Sequence, residues 1–375
     1  MHVLVLPSWY ASEANPNDGC FFAEQAEALA RAGHTVSVFP LYNDDKVRPA
    51  AAPARRGSFS EYPIHYRPAR FHLTYFRILE KMFRIMRTEL RGKKPDIIHV
   101  HSFRAIKYAR ALKAIYKIPV VVTEHVTWFE RGGLSEKQLK SIARDYAAAD
   151  AIVAVSTGLR EQIRPYCGDK EIHVIPNIVS GRFYEGAFHT PPGERFGFIS
   201  VGMLHPKKGL DILLRAFARV AEKENVTLTI CGDGAERAAL ESLAEELGIR
   251  GAVTFAGIVS REEVARRLRE NQIFVLPSRT ETFGVVYVEA MACGLPIIMT
   301  KTNAWEMLAT PETGVAVEIE DTVALAEAMG HVLRHYREYD PERIRQYCLD
   351  HFSEEAVTGQ LTALYKNVLR ISEDC

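Results

Sequence analysis

The sequence predicts an α/β protein of two parallel-sheet domains, and three observations predict it. The chain has 375 residues, long for a single hydrophobic core. Short apolar runs alternate with helical patterns through both halves, the pattern of repeated βαβ units. Between the halves, Asn177 to Arg195 gathers Gly181, Gly186, Pro191, Pro192 and Gly193, a linker composition. The expected division is 1–178, 179–351 and a terminal helical segment, 352–375.

In the first half the expected strands are Val3–Leu6, Val36–Phe39, Ile97–Val100, Val120–Thr123, Ile152–Val155 and His173–Ile175. The second half repeats the scheme with Phe198–Val201, Thr227–Cys231, Val253–Ala256, Ile273–Leu276, Ile297–Met299 and Val315–Val317. Open α/β sheets bind ligands at the carboxyl ends of their strands. The polar motifs of this chain fall mostly there, so a cleft between the two domains is the expected site.

Composition excludes several classes. Hydrophobic residues make up 47% and charged residues 25% of the chain, ordinary for a soluble globular protein. No apolar run reaches the ~18 residues of a membrane span. Met1 to Pro7 is too short, and lacks the basic start, for a signal peptide. The six cysteines are scattered without Cys-x-x-Cys spacing, which points to a reducing, cytoplasmic setting and away from structural zinc. The net charge of zero hides an asymmetry: residues 1–178 carry 26 Lys and Arg against 18 Asp and Glu, and the remainder 21 against 29. A dense basic patch, Arg70 to Lys94, holds eight basic and two acidic residues among large apolar ones. That pattern suits a peripheral contact with the inner face of a membrane; a helix packed on its own sheet with a basic outer edge is the plainer alternative. No nucleic-acid-binding module accompanies the patch.

The most informative stretch runs from Pro277 to Pro296. A strand ends in a polar loop, Glu281 precedes Phe283-Gly284, a helix follows, and Glu289 stands eight positions after Glu281. At ~1.5 Å per helical residue, eight residues span up to ~12 Å. Glycosidase carboxylates sit ~5 Å or ~6.5–9.5 Å apart, so a hydrolytic acid/base couple is disfavoured. Two acceptors at the ends of a helix start suit a long polyhydroxylated ligand with an anionic middle, which describes a nucleotide sugar.

The same stretch resembles the E-x7-E signature of glycosyltransferase family 4. The resemblance covers nearly the whole chain through Gly33-His34-Thr35-Val36, Pro95 to His101, Thr123-Glu124-His125, Val174 to Asn177, Val201-Gly202-Met203-Leu204 with Lys208-Gly209, and Gly232-Asp233-Gly234. It implies the GT-B fold: two Rossmann-like parallel-sheet domains facing across a cleft, with a terminal helix (Ala356 to Leu369) crossing back to the first. It implies a retaining transfer from a nucleotide sugar, by default a UDP-sugar, to a hydroxyl acceptor, without metal or cofactor, the nucleotide sugar being a substrate. The basic patch suggests a lipid-linked or envelope glycan as acceptor.

Residue by residue, the resemblance places Glu289 on the ribose hydroxyls and Glu281 beside the donor sugar. Backbone near Thr282, Phe283 and Gly284 holds diphosphate and sugar. Lys208 neutralises the departing phosphate, for which a flexible ammonium is suited. The family usually adds an Arg five positions upstream of that lysine, where this chain has Met203; Lys207 and Arg279 are candidate substitutes. His125 is expected at the donor sugar and acceptor. His99 and His101 stand two apart on one strand, and the expectation is that only one of them, His101, turns to the cleft. Gly19 is a candidate donor-side glycine, with a turn glycine as the alternative, Gly232 is a candidate lining residue of the nucleotide pocket, and Asn177 is read as structural. Zinc binding by the histidines lacks a His-Glu-x-x-His or cysteine partner. Gly232-x-Gly234 lacks the third glycine of a dinucleotide fingerprint. Two other classes stay open: a nucleotide-sugar epimerase releasing nucleotide by hydrolysis, and a non-catalytic nucleotide-sugar binding protein.

Overall fold

The computed structural model describes residues 1–11, 19–45, 54–56, 58–69, 71–126, 128–131, 134–186, 188 and 195–373. Asp18, Arg70 and, in the 177–195 linker, residues 187 and 189–194 (with Pro191, Pro192 and Gly193) therefore lie outside the described residues. The chain divides into two compact units: Met1–Val155 with Leu159–Ile178 and Glu354–Cys375, and Ser156–Gly158 with Val179–Ser353.

Among the described residues the first unit has the strands β1 (His2–Pro7), β2 (Thr35–Val38), β3 (Leu41–Asn43), β4 (Ala54–Arg56), β5 (Phe59–Glu61), β6 (Ile64–Tyr66), β7 (Ile97–His101), β8 (Val120–Glu124), β9 (Ala151–Ala154) and β10 (Ile172–Val174). Among the described residues, eight make one sheet in the order β10-β9-β8-β7-β1-β2-β5-β4, and β3 pairs with β6. The neighbours are parallel except β4 against β5. β7, β8 and β9 are buried throughout, as strands covered by helices on both faces must be. The three-residue strands β3 to β6 have no counterpart in the sequence reading, because so short a segment carries no measurable period.

The helix Glu354–Glu373 belongs to this first unit. Val357, Leu361, Leu364, Tyr365 and Val368, spaced three and four apart, enter one core with Val3, Val5, Phe22, Leu29 and Val36. That spacing puts a single apolar stripe on one helix face.

The second unit carries β11 (Phe196–Val201), β12 (Val226–Cys231), β13 (Val253–Gly257), β14 (Ile273–Leu276), β15 (Ile297–Thr300) and β16 (Gly314–Val317). Their order is β13-β12-β11-β14-β15-β16, all parallel. Counted within the unit this is 3-2-1-4-5-6, the doubly wound order whose ligand crevice opens where the chain reverses direction, between the first and fourth strands. Here those are β11 and β14.

The segment after Asn177 is not a loose linker throughout. Val179 N–H donates to Phe352 O at 2.9 Å, Phe183 is fully buried, and Tyr184 donates its hydroxyl to Cys348 O at 3.3 Å. The aromatic residues interleaved with its glycines, which composition alone does not weigh, fasten it to the second unit.

Candidate active site

The second unit brings Lys208, which follows β11, and Glu281, which follows β14, together at the carboxyl ends of those strands. After β11 the chain makes a short 3-10 turn, Pro206–Lys208, and Gly209 then takes a left-handed φ of 63° at the start of helix Leu210–Ala221. A Cβ on Gly209 would lie 2.1 Å from Pro277 O, so only glycine lets this turn press against the end of β14. Two backbone-centred bonds then tie the loops: Arg279 N–H donates to Lys207 O at 2.7 Å, and the Arg279 guanidinium donates to Pro206 O at 2.5 Å. That closeness brings Lys208 Nζ to 2.5 Å from Glu281 Oε2, with the two side chains 12% and 16% exposed.

Gly284 caps the next helix, Val285–Ala292, at φ 80°, with no side chain bonded to its first amides. A side chain at 284 would strike the Tyr287 ring at 2.5 Å. Tyr287 is anchored by its own hydroxyl, which donates to Leu276 O at 2.7 Å. Phe283 is buried against Phe352, ring centroids 5.7 Å apart, so its side chain is part of the core. The Thr282 carbonyl accepts a 2.6 Å bond from Ser156.

Glu289 lies one helix length further, its side chain 3% exposed, with Arg261 Nη2 2.7 Å from its Oε1. Burial raises its pKa, with Arg261 opposing. Despite that short charge contact, Oε1 has no well-aligned hydrogen-bond donor. A buried carboxylate oxygen short of a donor is costly and calls for an explanation. Arg261 is absent from the sequence reading; 28 positions separate it from Glu289, and no local period links them.

Of the two cations considered as substitutes for the missing arginine, Arg279 is committed elsewhere. Its guanidinium holds Asp211 at 2.8 and 2.9 Å and also Glu320, which raises its own pKa through those bonds. Met203 is 60% exposed. Gly232, at φ 143°, would place a Cβ 1.9 Å from Gly202 O; the approach of the two strand ends accounts for that glycine.

In the first unit the order reverses between β1 and β7, and the histidines sit at the carboxyl ends of β7 and β8. The expectation for His99 and His101 is corrected. Side chains two apart on a strand share a face, and these two rings lie 4.4 Å apart between centroids. They differ in partners: His99 bonds Thr123 Oγ1 at 2.7 Å and the Tyr365 hydroxyl at 2.6 Å, while His101 Nδ1 meets His125 Nε2 at 3.0 Å. Burial lowers His99 and His125 to about 3 and His101 well below its ordinary value. All three rings are neutral near pH 7, so the His101–His125 bond joins a donor nitrogen on one ring to an acceptor on the other.

Glu124, quoted in a motif but given no role, organises this corner. Its Oε1 accepts from the amides of His125 (2.9 Å) and Val126 (3.1 Å). Its Oε2 accepts from the Phe103 amide (3.0 Å) and the Tyr146 hydroxyl (2.8 Å). One buried carboxylate thus fixes both strand-end turns. Gly19 caps helix Cys20–Arg31 at φ 69°, where a Cβ would lie 3.0 Å from Trp9 Cδ1. Asn177 is buried. Among the described residues no group of three or more His, Cys, Asp or Glu is arranged to hold a metal ion.

Comparison with known proteins covers both units. A family model described as Glycosyltransferase Family 4 matches residues 21–180, and one described as Glycosyl transferases group 1 matches residues 184–347. A glycosyltransferase of Methanocaldococcus jannaschii is 27% identical over 91% of this chain and 92% of its own. The N-acetyl-alpha-D-glucosaminyl L-malate synthase of Bacillus anthracis is 29% identical over 73% of this chain and 75% of its own. Among solved structures, sucrose-phosphate synthase from Thermosynechococcus elongatus superimposes with a TM-score of 0.82 at 21% identity, covering 99% of this chain and 100% of that one. An Anabaena protein in complex with UDP gives 0.77 at 18% identity, covering 98% and 100%. These likenesses establish the GT-B fold.

Proposed function

The chain belongs to glycosyltransferase family 4, and from that premise we propose that it moves a sugar from a nucleoside diphosphate to a hydroxyl acceptor with retention, without a metal ion or cofactor. The observation that carries this reading is the Lys208–Glu281 pair at the reversal point of the second unit. In the protein alone each charge neutralises the other. A nucleotide sugar offers both a better partner: its diphosphate takes the ammonium, and its sugar hydroxyls donate to the released carboxylate. The uncapped amides at the start of helix Val285–Ala292 suit the phosphates, and the donor-poor Oε1 of Glu289 suits a ribose hydroxyl.

The chemistry follows from that placement. The bond from the sugar's anomeric carbon to the diphosphate breaks, and the acceptor oxygen bonds the same face of that carbon. The acceptor's proton passes to the departing phosphate oxygen. Lys208 and the helix amides hold the charge that grows on the leaving group. His125, neutral and buried, is a hydrogen-bonding partner for sugar or acceptor and not a cationic acid.

UDP-N-acetylglucosamine is the first donor to try, since several relatives are named for N-acetylglucosaminyl transfer. A thermal-shift screen against UDP, GDP, ADP and their sugars tests the reading. At a hundred times its dissociation constant a ligand stabilises the folded state by about 2.7 kcal/mol. One nucleotide is expected to raise the melting temperature selectively, and sugar transfer from it is expected only when an acceptor hydroxyl is supplied. A flat response to every nucleotide overturns the proposal, and turnover without an acceptor moves it to a hydrolase or epimerase.

The acceptor we assign is a lipid-linked glycan, reached from the inner face of a membrane. Helix Phe71–Thr88 turns Ile78, Leu79, Met82 and Met86 inward but leaves Leu73 and Phe76 exposed beside Arg77, Arg84 and Arg87. Ile115, on helix Ile106–Tyr116, extends that apolar surface along a groove of about 970 Å³. Apolar side chains flanked by arginines suit an anionic lipid surface. Among the described residues no helix is long and apolar enough to cross a membrane. Phosphatidylglycerol vesicles are expected to sediment the protein, phosphatidylcholine vesicles not. Leu73→Ser with Phe76→Ser should weaken sedimentation at least about tenfold, from apolar area alone. Unchanged binding by that folded variant removes the membrane assignment.

A further inference from the structure

We infer that Arg261 is a positioning residue for nucleotide binding: it keeps Glu289 ionised and aimed, so that the carboxylate accepts the ligand's hydroxyl groups. The inference rests on the donor site proposed above and goes beyond it to a residue outside the E-x7-E segment.

Three observations carry it. Arg261 opens helix Arg261–Glu270, behind the Ser260 cap. A cation there sits at the positive end of the helix dipole, the unfavourable end, while Glu262 and Glu263 beside it suit that end. Some interaction away from its own helix must offset the placement, and the Glu289 carboxylate 2.7 Å away supplies it. Second, the guanidinium carbon lies 5.1 Å from the centre of the buried Phe183 ring, which steadies its plane. Third, the contact leaves Glu289 Oε1 without an aligned donor. A purely structural ion pair inside a protein is expected to satisfy its oxygens. One that supplies charge but leaves acceptor capacity is suited to receive hydroxyl donors from outside.

The groups around Glu289 are mostly cations or thiols. Arg261, on helix Arg261–Glu270, and Arg182, in the turn Gly181–Phe183, both act on the Glu289 carboxyl. Cys293, just after Glu289's own helix, interacts with Glu289 and also with Arg269 and Arg345, and Cys348 lies beside Cys293. Arg182 is itself paired with Glu262, Arg269 donates to the Arg182 carbonyl at 3.0 Å, and Arg345 donates to Ala292 O at 2.9 Å. The direct charge on Glu289 is therefore Arg261.

Burial already raises the Glu289 carboxyl above its ordinary value, with Arg261 the largest force holding it down. Without Arg261 it rises further. A protonated carboxyl accepts less and donates instead, so affinity is lost as pH falls through the carboxyl's pKa. Removing Arg261 moves that loss to higher pH.

The experiment is calorimetric titration of the intact protein with whichever nucleoside diphosphate the screen selects, from pH 5.5 to 8.5. It uses wild type, Arg261→Met, Arg261→Lys, Glu289→Gln and the Arg261→Met/Glu289→Gln double variant. Arg261→Met should bind about tenfold more weakly at pH 7.5 and lose affinity further as pH falls, while Arg261→Lys restores most of the affinity and the wild-type profile. In the Glu289→Gln background, Arg261→Met should add no pH dependence. Wild-type affinity and profile in Arg261→Met overturn the inference while leaving the donor site standing, as does a loss that is the same in both backgrounds. Should Arg261→Met not fold, Arg261→Lys and Glu289→Gln decide: a lysine variant as impaired as Glu289→Gln overturns it. No binding of any nucleotide to wild type, or full binding by Glu289→Gln, defeats the donor-site reading instead.

Discussion

Lys208→Ala is expected to lower kcat by about 10²- to 10³-fold, the loss typical of removing one preorganised group from a developing anion. It should also weaken nucleoside diphosphate binding. Among the described residues the ion pair of Lys208 is with Glu281, at 2.5 Å, and that pair joins two loops rather than a helix, so the far-ultraviolet circular dichroism should be unchanged. Steady-state kinetics with the donor chosen by thermal shift reads the first effect, and calorimetry the second. Wild-type turnover in the folded variant would remove Lys208 from the mechanism.

Glu281→Gln should also cut turnover, by about 10²-fold, but with the opposite effect on nucleotide affinity. In the wild-type protein a diphosphate has to draw Lys208 away from a carboxylate 2.5 Å distant. Glutamine keeps the shape and removes the competing charge, so UDP without a sugar should bind as tightly as before or more tightly. The intact nucleotide sugar, which needs the carboxylate for its hydroxyls, should gain less or lose. If instead UDP binding falls as far as in Lys208→Ala, the two residues are not competing partners and the exchange of charges at the heart of the mechanism is wrong. Together the pair of variants separates binding of the phosphate from handling of the sugar, which neither does alone.

How much of this was visible in the chain differs by residue. The parallel strands were legible because both of their faces are covered: β7 and β8 are buried at every position, and their Ile97-Ile98 and Val120 to Val122 stretches read as apolar runs rather than an alternation. Strand order was not legible, since β1 pairs with β7 across more than 90 residues and nothing local records such a pairing. Lys208 and Glu281 could be named from motif and spacing, yet their ion pair could not. It depends on Gly209 meeting Pro277, a contact between two loops that follow different strands. The two histidines of β7 show the reverse: the period-two rule, applied correctly, places them on one face without any coordinates. Tyr365 carried a weak signal, a polar-tipped residue in the otherwise apolar stripe of the last helix. Its bond to His99 Nδ1 spans 266 positions.

That last helix has a consequence for how the protein is made. Val357, Leu361, Leu364, Tyr365 and Val368 fill the same core as Val3, Val5 and Phe22, yet the whole of Val179–Ser353 is translated between them. At roughly 5–20 residues per second, a ribosome spends about 9–35 s on that interval. Throughout it the earliest-made unit is complete in its strands but open along the strip that the last helix will cover. The second unit, uninterrupted from Val179 to Ser353, finishes before the first. The half synthesised first is therefore the half that matures last, and it is the one exposed to chaperones, proteases and neighbouring nascent chains while it waits.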